Sequence, residues 1–283
     1  MKKMKNFMKF FALFAVFALV SCETEEAGTD LPQQEDVSAA VKAKLDGFFL
    51  DGDAAIPQSM EYPDGSIAQG FMVDDLFFTE DQINAMPNLV ANTPEGENIY
   101  TEQYRTNNLV SQPRTLTVIG YTGGQFALST RGRTGLQWAV NNYNRLNLGI
   151  RLSLSFATST NADMVIFDNS VNNGGSGGSA GFPTGGNPHK FIQIFGLAGS
   201  SNNVNEHVIT HEIGHSVGFR HTDFFSRQSC GQNTNEGTAG VGAIHIPGTP
   251  TGFDSTSIML ACFSNSTNGE FNNNDVTALR FLY

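Results

Sequence analysis

The sequence predicts an α+β fold built on one mixed sheet. Three observations lead there. Strand-like segments alternate with one helical segment from Arg114 onward, and a second helical segment with a polar face follows them. In addition, 40% of the 283 residues are hydrophobic, enough for one catalytic-sized core with something smaller in front of it.

Each element has its own signal. Thr115–Tyr121 (TLTVIGY) alternates and is β-branched, which predicts a strand. Leu136, Ala139, Val140 and Tyr143 recur at helical spacing and predict an amphipathic helix. Ile150–Phe156, Met164–Phe167 and Phe191–Phe195 are three further strand candidates. Between the last two lies Asn172–Asn187, with seven glycines in sixteen residues. It lacks the spacing and the lysine of a phosphate-binding loop, so a surface loop beside an edge strand is expected.

The front of the chain is different in kind. Lys2, Lys3, Lys5 and Lys9 precede the apolar run Phe10–Val20, which is the length of a secretory leader and too short for a membrane span. Leu19-Val20-Ser21-Cys22 resembles the lipobox of bacterial lipoproteins, in which Cys22 becomes the lipidated first residue. Residues 1–21 are therefore read as a signal peptide and 22–36 as an acidic tether. Glu23-Thr24-Glu25-Glu26 resembles a surface-export signal, so the expected location is extracytoplasmic, anchored through Cys22 to a bacterial membrane, with the outer membrane or cell surface in view. Removing the leader takes four of the 16 basic residues and none of the 27 acidic ones. So acidic a chain is unsuited to nucleic acid. Residues 37–112 form a small N-terminal region, with a helical pattern at Val37–Phe49 and an aromatic-rich piece at Gly70–Phe78. Residues 113–283 form the main domain.

The chemistry is concentrated in Asn203–Asp223 (NVNEHVITHEIGHSVGFRHTD). Asn203 and Glu206 are spaced as a capping pair, so a helix is expected to begin near Asn203. On it, His211 and His215 stand one turn apart and can reach one metal ion. Glu212 is offset by about 100° and suits a base rather than a ligand. Gly218 fits the left-handed position that ends a helix, which lets His221 return to the same metal. Three imidazoles with an open fourth position make a catalytic zinc site. The pattern H-E-x-x-H-x-x-G-x-x-H fixes five positions in eleven residues.

With these residues the sequence resembles the metzincin zinc endopeptidases, and more closely their dual-action HEIGH branch. His211-Glu212-Ile213-Gly214-His215, Gly218, Phe219–Asp223, Ile246–Pro250, Ser257-Ile258-Met259 and the terminal Asp275–Tyr283 carry the resemblance. It implies a twisted mixed sheet with an active-site helix and a C-terminal helix, and hydrolysis of protein or peptide substrates. It also implies a turn that places Met259 beneath the zinc. Some metzincins carry a tyrosine two residues after that methionine; here the position is Ala261. In some, a cysteine or aspartate of a preceding segment fills the open metal position. Cysteine is excluded because Cys22 is committed to the lipid, which leaves Asp64, Asp74 and Asp75 as candidates. Residues 37–112 are then either an inhibitory pro-segment or a permanent part of the enzyme.

Other residues carry open readings. Asp223 either orients the chain after His221, accepts from an imidazole N–H, or is a plain turn residue. Cys230 and Cys262 are either bridged or free. Asp163 and Asp168 are candidate calcium ligands, against two merely solvated acids. His189 and His245 lie in loops without partner spacing, whereas His207 stands one turn before His211 on the same side of the helix but is not needed by a site with three ligands already found, which leaves it a surface or supporting role. Against the endopeptidase stands a non-catalytic surface lipoprotein that keeps the fold as an adhesion or glycan-binding module. The intact set Glu212, His211, His215 and His221 favours the enzyme.

Overall fold

The computed structural model describes residues 37–47, 52–85, 103–236, 242–250 and 252–283. The expected leader (1–21), Cys22 and the expected acidic tether (22–36) lie outside the described residues. In chain order the elements are α1 (Ala39–Gly47), β1 (Ile56–Glu61), β2 (Ile67–Val73), β3 (Leu76–Thr79), α2 (Glu80–Ala85), β4 (Tyr104–Arg105), β5 (Arg114–Tyr121) and α3 (Thr130–Asn144). There follow β6 (Ile150–Ala157), β7 (Met164–Asp168), β8 (Gly177–Ser179), β9 (Phe191–Phe195), α4 (Asn202–Val217), β10 (Ile244–His245) and α5 (Asn273–Leu282).

Five strands make the main sheet in the order β6-β5-β7-β9-β8. The first four run parallel and β8 runs antiparallel to β9, so the sheet is mixed. The Gly-rich stretch Asn172–Asn187 thus supplies the edge strand itself, where the sequence suggested a loop beside one. Its alternation is invisible because glycine carries no side chain to alternate. A second, antiparallel sheet β1-β2-β3 comes from the N-terminal region, and β4 pairs with β10.

Strand β7 shows how the layers stack. All five of its residues are buried, because successive side chains enter different cores. Met164 and Ile166 join Leu136, Val140, Ile209 and Ile213 of α3 and α4. Val165 and Phe167 join Met60 and Phe77 of the N-terminal sheet and Tyr62 just beyond β1. Tyr62 also stacks on Phe191 of β9, with ring centroids 4.1 Å apart and planes within 11°. Residues 35–283 accordingly form one compact unit.

The cap of the motif-bearing helix lies two residues earlier than its spacing suggested. Ser201, not Asn203, is the cap, and its hydroxyl accepts from Val204 N at 3.2 Å. Glu206 turns inward instead of closing a capping box, and accepts from Asn142 Nδ2 at 2.9 Å. The helix stops at Gly218, whose φ of +114° lies where side chains are strained. At the other end of the chain, Asn272 and Asp275 form a reciprocal capping box that starts α5.

Candidate metal centre

The reversal at Gly218 brings His221 back over α4. His215 and His221 have their Nε2 atoms 3.1 Å apart, and those of His221 and His211 are 3.3 Å apart. Each opposite ring nitrogen is anchored. His211 Nδ1 lies 2.8 Å from Ile258 O, His215 Nδ1 2.8 Å from Phe219 O, and His221 Nδ1 2.9 Å from both oxygens of Glu236. Donation from Nδ1 to these acceptors leaves three Nε2 lone pairs facing one another, a repulsive arrangement unless a cation lies between them. Tetrahedral coordination with Zn–N of about 2.05 Å puts ligand nitrogens about 3.3 Å apart, which is the spacing found. The residues present therefore fit a zinc ion.

A fourth group joins them. Asp75, at the two-residue tip of the β2–β3 hairpin, places Oδ2 3.0 Å from His221 Nε2, 3.4 Å from His211 Nε2 and 3.9 Å from His215 Nε2. Among the described residues, Asp75, His211, His215 and His221 are the one group arranged to hold a metal. In the metal-free chain burial acts against the Asp75 carboxylate, but positive charge favoured on His221 and hydrogen bonds from His211 and His221 outweigh it and hold the group well below its ordinary range. Neighbouring Asp74 reaches Arg227 Nη1 at 2.9 Å, while Asp64 is bound by Ser66 within its own turn. Of the three candidate acids, the structure brings Asp75 to the histidines.

Glu212 points into the same cleft and is not a ligand. It is buried, and its Oε2 has no hydrogen-bond partner. Burial first, and the nearby Asp75 second, push its carboxyl well above the usual range in the metal-free chain. Its place depends on β8, because a Cβ built on Gly178 would stand 2.7 Å from Glu212 Cγ. Gly178 of the edge strand thus leaves room for the carboxylate, a role the composition of that stretch did not reveal.

Met259 lies beneath the helix, buried, with Sδ packed where a side chain on Gly214 would stand: a Cβ there would be 2.5 Å from it. The turn that carries Met259 also supplies Ile258 O to His211. The imidazole partner proposed at Asp223 belongs instead to Glu236. Asp223 accepts from Ala261 N at 3.0 Å and Ser229 N at 2.9 Å, and so ties the chain after His221 to the segment after Met259. Glu236 stands fifteen residues beyond His221 in a polar loop, with no periodicity to mark it. A disulfide joins Cys230 to Cys262 across the same two segments.

The remaining candidates lie elsewhere. Asp163 and Asp168 sit at opposite ends of β7, roughly 16 Å apart by strand rise, and do not share a site. Asp163 binds Arg114 and Thr117, and Asp168 binds Ser170. His207 is buried with Nδ1 2.9 Å from Asn268 O, and His245 Nε2 meets Thr249 Oγ1 at 3.1 Å. The ring of His189 packs against Gly181, and the residue is outside the metal group.

The family model of the dual-action HEIGH metallo-peptidases matches residues 79–283. The chain belongs to that family. This HEIGH metallopeptidase also matches two solved structures of myroilysin. The first shares 12% identity at a TM-score of 0.42, covering 64% of this chain and 98% of the other. The second shares 13% identity at 0.40, covering 62% and 86%. A comparison with curated proteins gives no match. As a HEIGH metallopeptidase the chain is a hydrolase that acts on protein or peptide, with His211, His215 and His221 arranged for its metal.

Proposed function

We propose that the protein is a zinc endopeptidase, held in a self-blocked state by Asp75, with Glu212 as its general base. The observation that carries this reading is the convergence of three tautomer-fixed Nε2 atoms beside the unpartnered, buried Glu212 Oε2. Zinc bound there supplies Lewis acidity toward a water and the scissile carbonyl. Glu212 takes the proton from the attacking water and hands it to the departing amine nitrogen. The edge strand β8 offers backbone groups to an extended peptide beside Glu212. Residues of the hairpin hold part of that edge: Phe77 N donates to Ala180 O at 3.2 Å and Ala180 N to Asp75 O at 3.3 Å. Ala261 gives no phenol to the site, so oxyanion stabilisation falls to the metal and backbone donors.

The N-terminal region then has two roles. Its hairpin tip blocks the site, while Met60, Tyr62 and Phe77 complete a core beneath the sheet. Lipidation at Cys22 and an extracytoplasmic substrate pool belong to the same proposal. The secretory-type run Phe10–Val20 and a disulfide of the kind that persists outside the cytoplasm support it.

One observation favours a second reading. Three histidines and an aspartate close a four-ligand set, as structural zinc sites do. The two readings separate in one experiment on the full chain: bound zinc and casein cleavage for the parent, Asp75→Ala, and Asp75→Ala with Glu212→Ala. Activity gained with the first change and lost with the second supports the enzyme. Loss of zinc and of folding on Asp75→Ala, with no cleavage, supports the structural site.

A further inference from the structure

The cleft beside Glu212 is a cavity of about 390 Å³, and Arg227 is the one Lys or Arg among the described residues that line it. Its guanidinium is fixed in place. Nη1 bonds Glu236, Nε donates to Gln232 Oε1 at 3.0 Å, and Nη2 lies 3.6 Å from Cys230 Sγ. Cys230 is in turn bridged to Cys262 on the cleft wall. The same Nη1 holds Asp74 at 2.9 Å, and Asp74 is the residue next to Asp75. Asp74 adopts this place at a φ of +59°, uncommon for a residue with a side chain. So when Asp75 stands among the metal ligands, the adjacent carboxylate is seated on a pre-positioned arginine.

We propose, building on the peptidase reading, that Arg227 is a specificity-determining residue that binds an acidic side chain of the substrate next to the scissile bond, and that Asp74 occupies this place in the blocked state. Glu236 does not satisfy the guanidinium alone, because it also accepts from His221 Nδ1 and faces Arg220 at 3.8 Å. A carboxylate on a peptide restores the contact that Asp74 gives up when the hairpin tip withdraws. A charge-assisted bond of this kind in a partly desolvated cleft corresponds to about tenfold or more in affinity.

The test uses the full chain carrying Asp74→Asn, which tolerates the left-handed turn, together with Asp75→Ala. Fluorogenic decapeptides taken from casein sequence are used in pairs that differ only in Glu or Gln at one of the two central positions. Cleavage is measured as kcat/KM, and binding of the same peptides is measured by anisotropy on the chain that also carries Glu212→Ala. About tenfold or greater preference for a Glu peptide in both measurements, falling to within about twofold in Arg227→Gln and partly kept in Arg227→Lys, is expected. Equal handling of Glu and Gln peptides by the Arg227-bearing chain overturns the inference, as does a preference that survives Arg227→Gln. That first comparison needs no Arg227 variant to fold. Preferential binding of the Glu peptide without cleavage of either peptide counts against the peptidase reading while upholding the carboxylate site.

Discussion

Asp75 Oδ2 and His221 Nε2 lie 3.0 Å apart, although the two residues are separated by 146 positions in the chain. In the proposed self-blocked state, the hairpin tip that carries Asp75 competes with water and substrate for the metal. Asp75→Ala is expected to raise peptide cleavage per bound zinc by on the order of tenfold to a hundredfold, the factor by which a mostly closed site suppresses apparent activity. Steady-state cleavage against zinc content checks it, and unchanged activity in a folded, zinc-loaded variant would count against blocking. Cutting the chain near Gln112 is a different perturbation. It uncovers Val165, Phe167 and Phe191, and each such side chain left exposed costs roughly 1.5–3 kcal/mol, so the cut chain is expected to lose folding.

Glu212→Ala in the Asp75→Ala background should leave zinc content nearly unchanged, because Glu212 is outside the ligand group. Cleavage should fall by about 10²- to 10⁴-fold, the usual contribution of a positioned base. Metal analysis beside a peptide assay decides it; a variant that cleaves like its parent removes Glu212 from the mechanism.

Glu236 holds the His221 ring by its Nδ1 at 2.9 Å. Glu236→Gln replaces a charged acceptor by a neutral amide that also loses its ion pair with Arg227. Zinc affinity should drop about 10- to 100-fold, as is typical when the partner of a ligating histidine is changed. Competition with a chromophoric chelator measures this.

Met259 packs under Gly214 without entering the metal group. Met259→Leu roughly conserves volume and should cost less than about 1.5 kcal/mol, with zinc and most activity kept. Gly214→Ala should be the damaging change, because its Cβ would meet Met259 Sδ at 2.5 Å and push α4 off its floor. Denaturation midpoints and zinc content of the two variants give the comparison, and zinc lost on Met259→Leu in a folded chain would point to a thioether ligand.

His207 sets an acid limit on stability. Burial lowers its pKa from 6.5 to about 4, and its Nε2 is buried without a partner. A depressed folded-state pKa means that its full contribution is present above pH 6.5 and is lost as pH falls toward 4, by up to about 1.4 kcal/mol per pH unit. Urea unfolding of the parent and of His207→Gln across that window should show the parent losing stability more steeply. Parallel curves would show that His207 does not titrate there.

Most of the candidate site was legible because it is local. His211, Glu212, His215 and Gly218 lie on one helix and its cap, where a period of 3.6 residues converts spacing directly into geometry. The strands at Thr115–Tyr121 and Phe191–Phe195 were legible for the same reason, since β-branched and aromatic alternation reports a sheet that buries them. The cap at Ser201 was not, because Asn203 with Glu206 satisfies the same spacing rule until Asn142 claims the glutamate from another helix.

What only the tertiary structure decided are the long-range partners. Asp75 reaches the histidines because β2 and β3 fold as a hairpin against the sheet edge; spacing alone could not separate it from Asp64 or Asp74. Glu236, rather than Asp223, meets His221 because Asp223 is spent on Ala261 and Ser229, a choice made by loop packing with no period to read. Gly178 lies against Glu212 because the edge strand passes directly over α4. Local chemistry is written in short-range spacing, whereas the contacts that orient and surround it depend on which distant segments share a core.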